Sequence, residues 1–184
     1  DYAPAKIYAD WFFTPYFGVE LAWDHAQART ATAETSDAQG HSDGDFEIRG
    51  PVISVVARYP NASEWIPYAG AGVAVMSAGF EPATWWFTGF PSEDDWVDNG
   101  APATTLNGLN RVIDPDDAAG YVIFGGCDWK ITDNLLADGY LRYMNISLDT
   151  HYYMTLNGSV IDDRGWYSIP LSNLAIGIGV SYLF

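Results

Sequence analysis

The sequence predicts an all-β protein, an antiparallel up-and-down transmembrane β-barrel forming one domain over residues 1–184. Three observations carry this. Apolar and polar residues alternate with a period of two in six segments, and a strand sends alternate side chains to opposite faces. Hydrophobic residues make up 48% of the chain while the mean hydropathy is −0.06, so apolar positions are interleaved with polar ones. Long polar connections alternate with short turns, which is the layout of outer-membrane barrels.

The segments follow in chain order. From Trp11 to Trp23 the odd positions are apolar throughout, against Thr14, Tyr16, Gly18 and Glu20; this reads as one strand. Pro51 to Tyr59 sets Ile53, Val55 and Ala57 against Ser54 and Arg58. Trp65 to Phe80 carries Ala69-Gly70-Ala71-Gly72, and strand glycines mark close approach or curvature. Tyr121 to Ile131 and Leu135 to Ser147 alternate likewise, with Asp128, Lys130, Asp138 and Arg142 on the mixed face. Asn173 to Phe184 is the cleanest. Leu174, Ile176, Ile178, Val180, Tyr182 and Phe184 form one face; Ala175, Gly177, Gly179 and Ser181 lie on the other.

Ala26 to Asp45, Glu81 to Ala118 and Asp149 to Leu171 read as long loops, and Pro60 to Glu64 and Thr132 to Asn134 as tight turns. Within the loops, Thr84 to Thr88 is a candidate strand, and Tyr152 to Val160 a candidate hairpin turning at Asn157-Gly158. Six strands fall short of the eight expected of a single-chain bacterial barrel. An N-terminal hairpin upstream of Asp1 is the expected source of the other two.

Several function classes are excluded. No apolar run approaches the ~20 residues of a membrane helix. A net charge of −16 with eight scattered Lys and Arg argues against nucleic acid, because phosphate binding needs clustered basic residues. A soluble lipocalin-like barrel would bury its apolar face inside, yet here the mixed face carries charge. Cys127 is alone and reads as a small strand residue. His25, His41 and His151 fall at strand ends or in loops; His41-Ser42 are adjacent and so would face opposite ways on a strand. No triad order is present, and the chain reads as a non-enzyme without a cofactor.

Turning the apolar parity toward lipid sends Glu20, Arg58, Asp128, Lys130, Asp138 and Arg142 into the lumen. Basic residues facing lipid at mid-bilayer cost about 2–4 kcal/mol, so energetics dictates that orientation. Three acids and three bases are expected to pair as a plug, since unpaired buried charge is heavily penalised. The three long loops hold fifteen of the 24 acids. Glu93, Asp94, Asp95, Asp114, Asp116 and Asp117 have the chemistry for divalent cations but not EF-hand spacing, and a solvated acidic rim is the simpler reading. Such a rim, facing lipopolysaccharide outside the cell, is also a candidate surface for a protein partner.

Pro67 to Val73, Ile131 to Leu135, Tyr140 to Tyr143 and Gly179 to Phe184 together resemble the small outer-membrane β-barrel superfamily, including OmpW-type and opacity-type proteins. The resemblance implies a bacterial outer-membrane location with a periplasmic C-terminus. It also implies that the barrel-assembly machinery reads Tyr182 and Phe184, and that the first strand here aligns with the family's third. OmpW-type members pass small hydrophobic molecules through a lateral opening in the wall. Passage of small molecules is therefore an expectation for this chain too.

Overall fold

The computed structural model describes residues 6–31, 42–90, 93–103 and 108–182. Its strands are β1 (Ile7–Phe12), β2 (Phe17–Ala31), β3 (Ser42–Arg58), β4 (Trp65–Pro82), β5 (Leu109–Pro115), β6 (Ala118–Lys130), β7 (Leu135–Asn145), β8 (Ser147–Leu156), β9 (Ser159–Pro170) and β10 (Asn173–Tyr182). Two short helices, α1 (Thr84–Phe87) and α2 (Glu93–Asp98), lie between β4 and β5. Every pairing is antiparallel, in a seven-stranded sheet ordered β1-β2-β3-β4-β6-β7-β10 and a three-stranded sheet ordered β5-β8-β9.

The Trp11–Trp23 segment is not one strand. It ends β1, turns at Phe13–Tyr16 and opens β2. Pro15 lacks the N–H a ladder needs, and the Thr14 hydroxyl accepts from the amides of Tyr16 and Phe17 at 3.2 and 2.9 Å. A side chain that satisfies local backbone donors competes with the sheet, and here it wins. Apolar parity persists across the turn because both arms face the same exterior, which is why the segment reads as continuous.

The long connections are also largely ordered. Thr84–Phe87 is a helical turn rather than a strand. Its Trp85 and Trp86 are buried, and the Trp86 ring packs on Phe80 with centroids 5.8 Å apart. Asp149–Leu171 is the β8–β9 hairpin, turning at Asn157-Gly158 where both residues have positive φ. One residue separates β7 from β8, and two separate β9 from β10, so each pair is one long stave that bends as it passes from the larger sheet to the smaller. The amide of Leu171 donates to Ile146 O across that bend at 3.0 Å.

Three short turns gather at the opposite end. The Arg58 amide donates to Tyr16 O at 2.8 Å and that of Lys130 to Glu64 O at 2.9 Å, and Trp65 stacks on Trp129 at 5.7 Å. The described residues supply seven strands of the main sheet. Its two edges, β1 and β10, line one cavity together.

The parity places the core inside the curled sheet. Val52, Val56, Ala74, Met76, Val122, Phe124 and Met144 face inward and pack with Phe46, Ile48, Ile146 and Leu148. Outward residues lie bare: Ile176 is 84% exposed and Ile178 91%. An apolar band this extensive on the outside of a sheet needs an apolar solvent. Inward glycines make room for rings. A Cβ at Gly177 would strike the Tyr140 ring, and one at Gly70 the Phe124 ring.

Candidate functional site: a charged lumen

The inward residues of β1, β2, β6 and β7, with Arg58 and Tyr68 between them, line a cavity of about 540 Å³ near the short-turn end, which opens between the sheet edges β1 and β10 beside Ile7, Ala9, Val180 and Tyr182. Strand register stacks its walls in layers. Asp10 lies opposite Glu20, Asp128 opposite Asp138, and Tyr140 and Asp138 lie opposite Gly177 and Gly179. Because the period is two, these residues all point inward.

Of the six charges expected in the lumen, five line this cavity: Glu20, Arg58, Asp128, Asp138 and Arg142. Lys130 does not. It sits exposed at the end of β6 beside the turn, where its backbone amide holds Glu64 O. The pairing also differs from a plug made of those six alone. Arg142 Nη1 is bonded to Asp24 Oδ2, with 4% and 1% of the two side chains exposed. Glu20 accepts from Lys6 Nζ at 2.7 Å. The Arg58 guanidinium lies 3.7 Å from the Phe12 ring centroid and its Nε donates to Pro15 O at 3.1 Å. The Tyr68 hydroxyl donates to Asp138 Oδ2 at 3.2 Å.

Asp24, Lys6, Asp10 and Tyr8, which no sequence motif marks, therefore belong to the site, as do Tyr68 and Tyr140 from the motifs that carry the family resemblance. The signal for Asp24 was present: it continues the inward parity of Gly18, Glu20 and Ala22 by one step. Lys6-Ile7-Tyr8-Ala9-Asp10-Trp11 alternates in the same way, polar inside and apolar outside.

Toward the other end the interior turns apolar. Phe46 and Phe80 pack at 4.8 Å, and Trp86 of α1 lies beyond them. A second cavity of about 460 Å³ leaves sideways between Ala26–Ala28 of β2 and Pro170–Ile176 of β9 and β10. Beyond the Ile7–Trp23 pair, β2 has no ladder partner on that side among the described residues. Arg142 lines both cavities.

The acidic rim is dispersed. Glu93, Asp94 and Asp95 open α2, Asp114 lies on β5, and Asp116 and Asp117 form the bend into β6, where Ser77 Oγ donates to Asp117 at 2.8 Å. Among the described residues no three His, Cys, Asp or Glu side chains are grouped to hold a metal ion. On the β8–β9 hairpin His151 Nε2 lies 2.9 Å from Asp163 Oδ1 and stacks on Trp166 at 4.9 Å. That contact and the Gly165 amide hold the Asp163 carboxyl below its usual range. Tyr182 ends β10 on the outer face; Phe184 and His41 lie outside the described residues.

Comparison with solved structures agrees with this architecture. The outer membrane protein OprG from Pseudomonas aeruginosa superposes with a TM-score of 0.65 at 14% sequence identity, over 100% of this chain and 83% of that one. The chain has an OprG-like β-barrel fold. That bears out the resemblance to small outer-membrane barrels carried by the glycine, turn and terminal-strand motifs. No protein-family model matches the sequence, and no curated protein matches it.

Proposed function

We propose that the chain is a non-enzymatic barrel of the bacterial outer membrane that gives small molecules a narrow, bent passage. The position of Arg142 on both cavities carries this reading. Above Arg142 the apolar packing of Phe46, Phe80 and Trp86 bounds the second cavity, so a solute reaching Arg142 would leave sideways past Gln27 and Asn173. The Asp24–Arg142 pair is then the gate between the two spaces. We read the seven-stranded sheet as the wall of an outer-membrane barrel. In that setting the loops face outward, the short turns face the periplasm, and Tyr182 and Phe184 supply the terminal signal for the assembly machinery. An axial ion pore does not fit an interior filled by side chains.

Swelling of proteoliposomes in uncharged solutes, from glycerol to glucose, tests the passage. The smallest solutes are expected to enter, and Ala175→Phe, which fills the side cavity, should return uptake to the level of empty liposomes while the barrel stays folded. Absence of uptake through the unaltered chain, or full uptake through the Ala175→Phe variant, would overturn the passage.

A second reading is favoured by a separate observation. Val160, Ile161, Trp166 and Tyr167 stand exposed on the β8–β9 hairpin, and aromatic side chains of this kind anchor interfaces. Here the hairpin binds a protein partner at the cell surface, and the acidic rim frames the contact. Replacing Trp166 and Tyr167 together by Ala is expected to abolish adhesion of cells displaying the barrel. Unchanged adhesion at equal surface display refutes this reading.

A further inference from the structure

We propose that the lower lumen is a binding site for small organic cations bearing a primary ammonium group, centred on Asp128 and Asp138. The site goes beyond the passage reading, since binding in the cavity requires only access from one side.

Two pairs of acids face each other across strand ladders inside this cavity: Asp10 with Glu20, and Asp128 with Asp138. Like charges directly opposite in a sheet are destabilising, so each pair calls for a cation. The first pair has one. Lys6 Nζ lies 2.7 Å from Glu20 Oε2 and over the rings of Tyr8, Phe124 and Tyr140, at 4.7, 5.2 and 5.7 Å from their centroids. An ammonium held by a carboxylate and aromatic faces is the arrangement by which proteins recognise amine ligands. Here the chain supplies that ammonium itself.

The second pair has no ion pair of its own: Arg58 faces Asp128 in the same cavity but is held on the Phe12 ring and Pro15 O. Among the described residues neither Asp128 nor Asp138 has an ion-pair partner, and Asp138 is only 7% exposed. Its Oδ2 accepts from the Tyr68 hydroxyl, while Oδ1 is buried without a hydrogen-bond partner. A buried carboxylate oxygen left this way, packed against Gly179, is costly, and an ammonium seated between Asp128 and Asp138 supplies three donors and the missing charge to the pair. Aromatic walls favour an amine over a hydrated metal ion, which prefers oxygen ligands in larger number. A cavity of about 540 Å³ lies within the ordinary range for small-molecule sites.

Calorimetric titration of the folded full chain in detergent micelles with 1,4-diaminobutane at low ionic strength tests the site. Saturable binding of one equivalent is expected, with none for 1,4-butanediol. Asp138→Asn should weaken binding about tenfold or more, the scale of one charge-assisted hydrogen bond, while Asp162→Asn on the exposed hairpin should not. Asp128→Asn provides the same reading if Asp138→Asn fails to show the heat-shifted gel mobility of a folded barrel. Lys6→Met, which removes the resident ammonium, should admit a second equivalent. Four results would overturn the site: no heat with the diamine, as when the two carboxylates share a proton; equal weakening by Asp162→Asn; competition by Mg²⁺ at concentrations equal to the diamine; or a Lys6→Met variant that takes up no more diamine than the unaltered chain.

Discussion

Replacing Arg142 with Met is expected to destabilise the folded barrel by about 3–5 kcal/mol, the cost of leaving one member of a buried ion pair without its partner. Asp24 is 1% exposed and Arg142 4%, so Arg142→Met leaves the Asp24 carboxylate buried without its cation. Equilibrium unfolding in urea, followed by tryptophan fluorescence in detergent micelles, reads the loss as a lowered midpoint at unchanged slope. The second arm of the prediction separates a lost partner from lost packing. Asp24→Leu combined with Arg142→Met should recover most of the stability, because apolar residues of similar volume replace buried ion pairs at little or no cost. A double variant as weak as Arg142→Met alone would show that the guanidinium acts through packing against its neighbours. Arg58 provides the contrast. It lies over Phe12 near the turns with access to solvent, where a cation–π contact contributes only about 0.5–1 kcal/mol, so Arg58→Ala should move the midpoint far less.

Which charges pair was less legible in the sequence than which charges point inward. Side-chain period is a local property, and it assigned Glu20, Asp138 and Arg142 to the interior, where all three are buried. Pairing depends on register between strands far apart in the chain. Arg142 reaches Asp24 across 118 positions, and no local pattern encodes that distance. The same division explains the connections. Asn157-Gly158 needs only local backbone conformation and was readable as a turn, whereas β5 is held by β8 and depends on that long-range ladder. Thr84–Phe87 illustrates the opposite failure: its β-prone aromatics form a helical turn because Trp85 and Trp86 are buried there. Tertiary burial outweighs the intrinsic preference of a four-residue segment. Glycines on β10 looked like a bland small-residue face until the register put Tyr140 over Gly177 and Asp138 over Gly179.

The outer face of β10 supplies the other large expected effect. Ile178 is 91% exposed, and in water an exposed Ile→Arg change would cost little. In a bilayer the same residue sits on the lipid side, four residues from Tyr182 at one end of the strand and four from Leu174 toward the other. At about 3.3 Å per residue, with strands tilted as in known barrels, this is close to the middle of an apolar band roughly 25 Å tall. Ile178→Arg is therefore expected to cost about 2–4 kcal/mol in phospholipid vesicles. Tyr182→Arg, at the interface, should cost much less, about 0–1 kcal/mol, because its guanidinium reaches the headgroups. Ile178→Leu should be close to neutral in both settings, since shape and apolar area hardly change. Unfolding in urea from vesicles, measured for all three variants, gives a depth profile. A flat profile, with Ile178→Arg no worse than Tyr182→Arg, would mean that this face meets protein or water instead of lipid. Inward Gly177, one position away, reports on the opposite face: a side chain there meets the Tyr140 ring whatever the solvent, so its penalty should be the same in vesicles and in micelles. Sensitivity to the solvent at 178 and indifference to it at 177 is the behaviour expected of a strand that separates lipid from lumen.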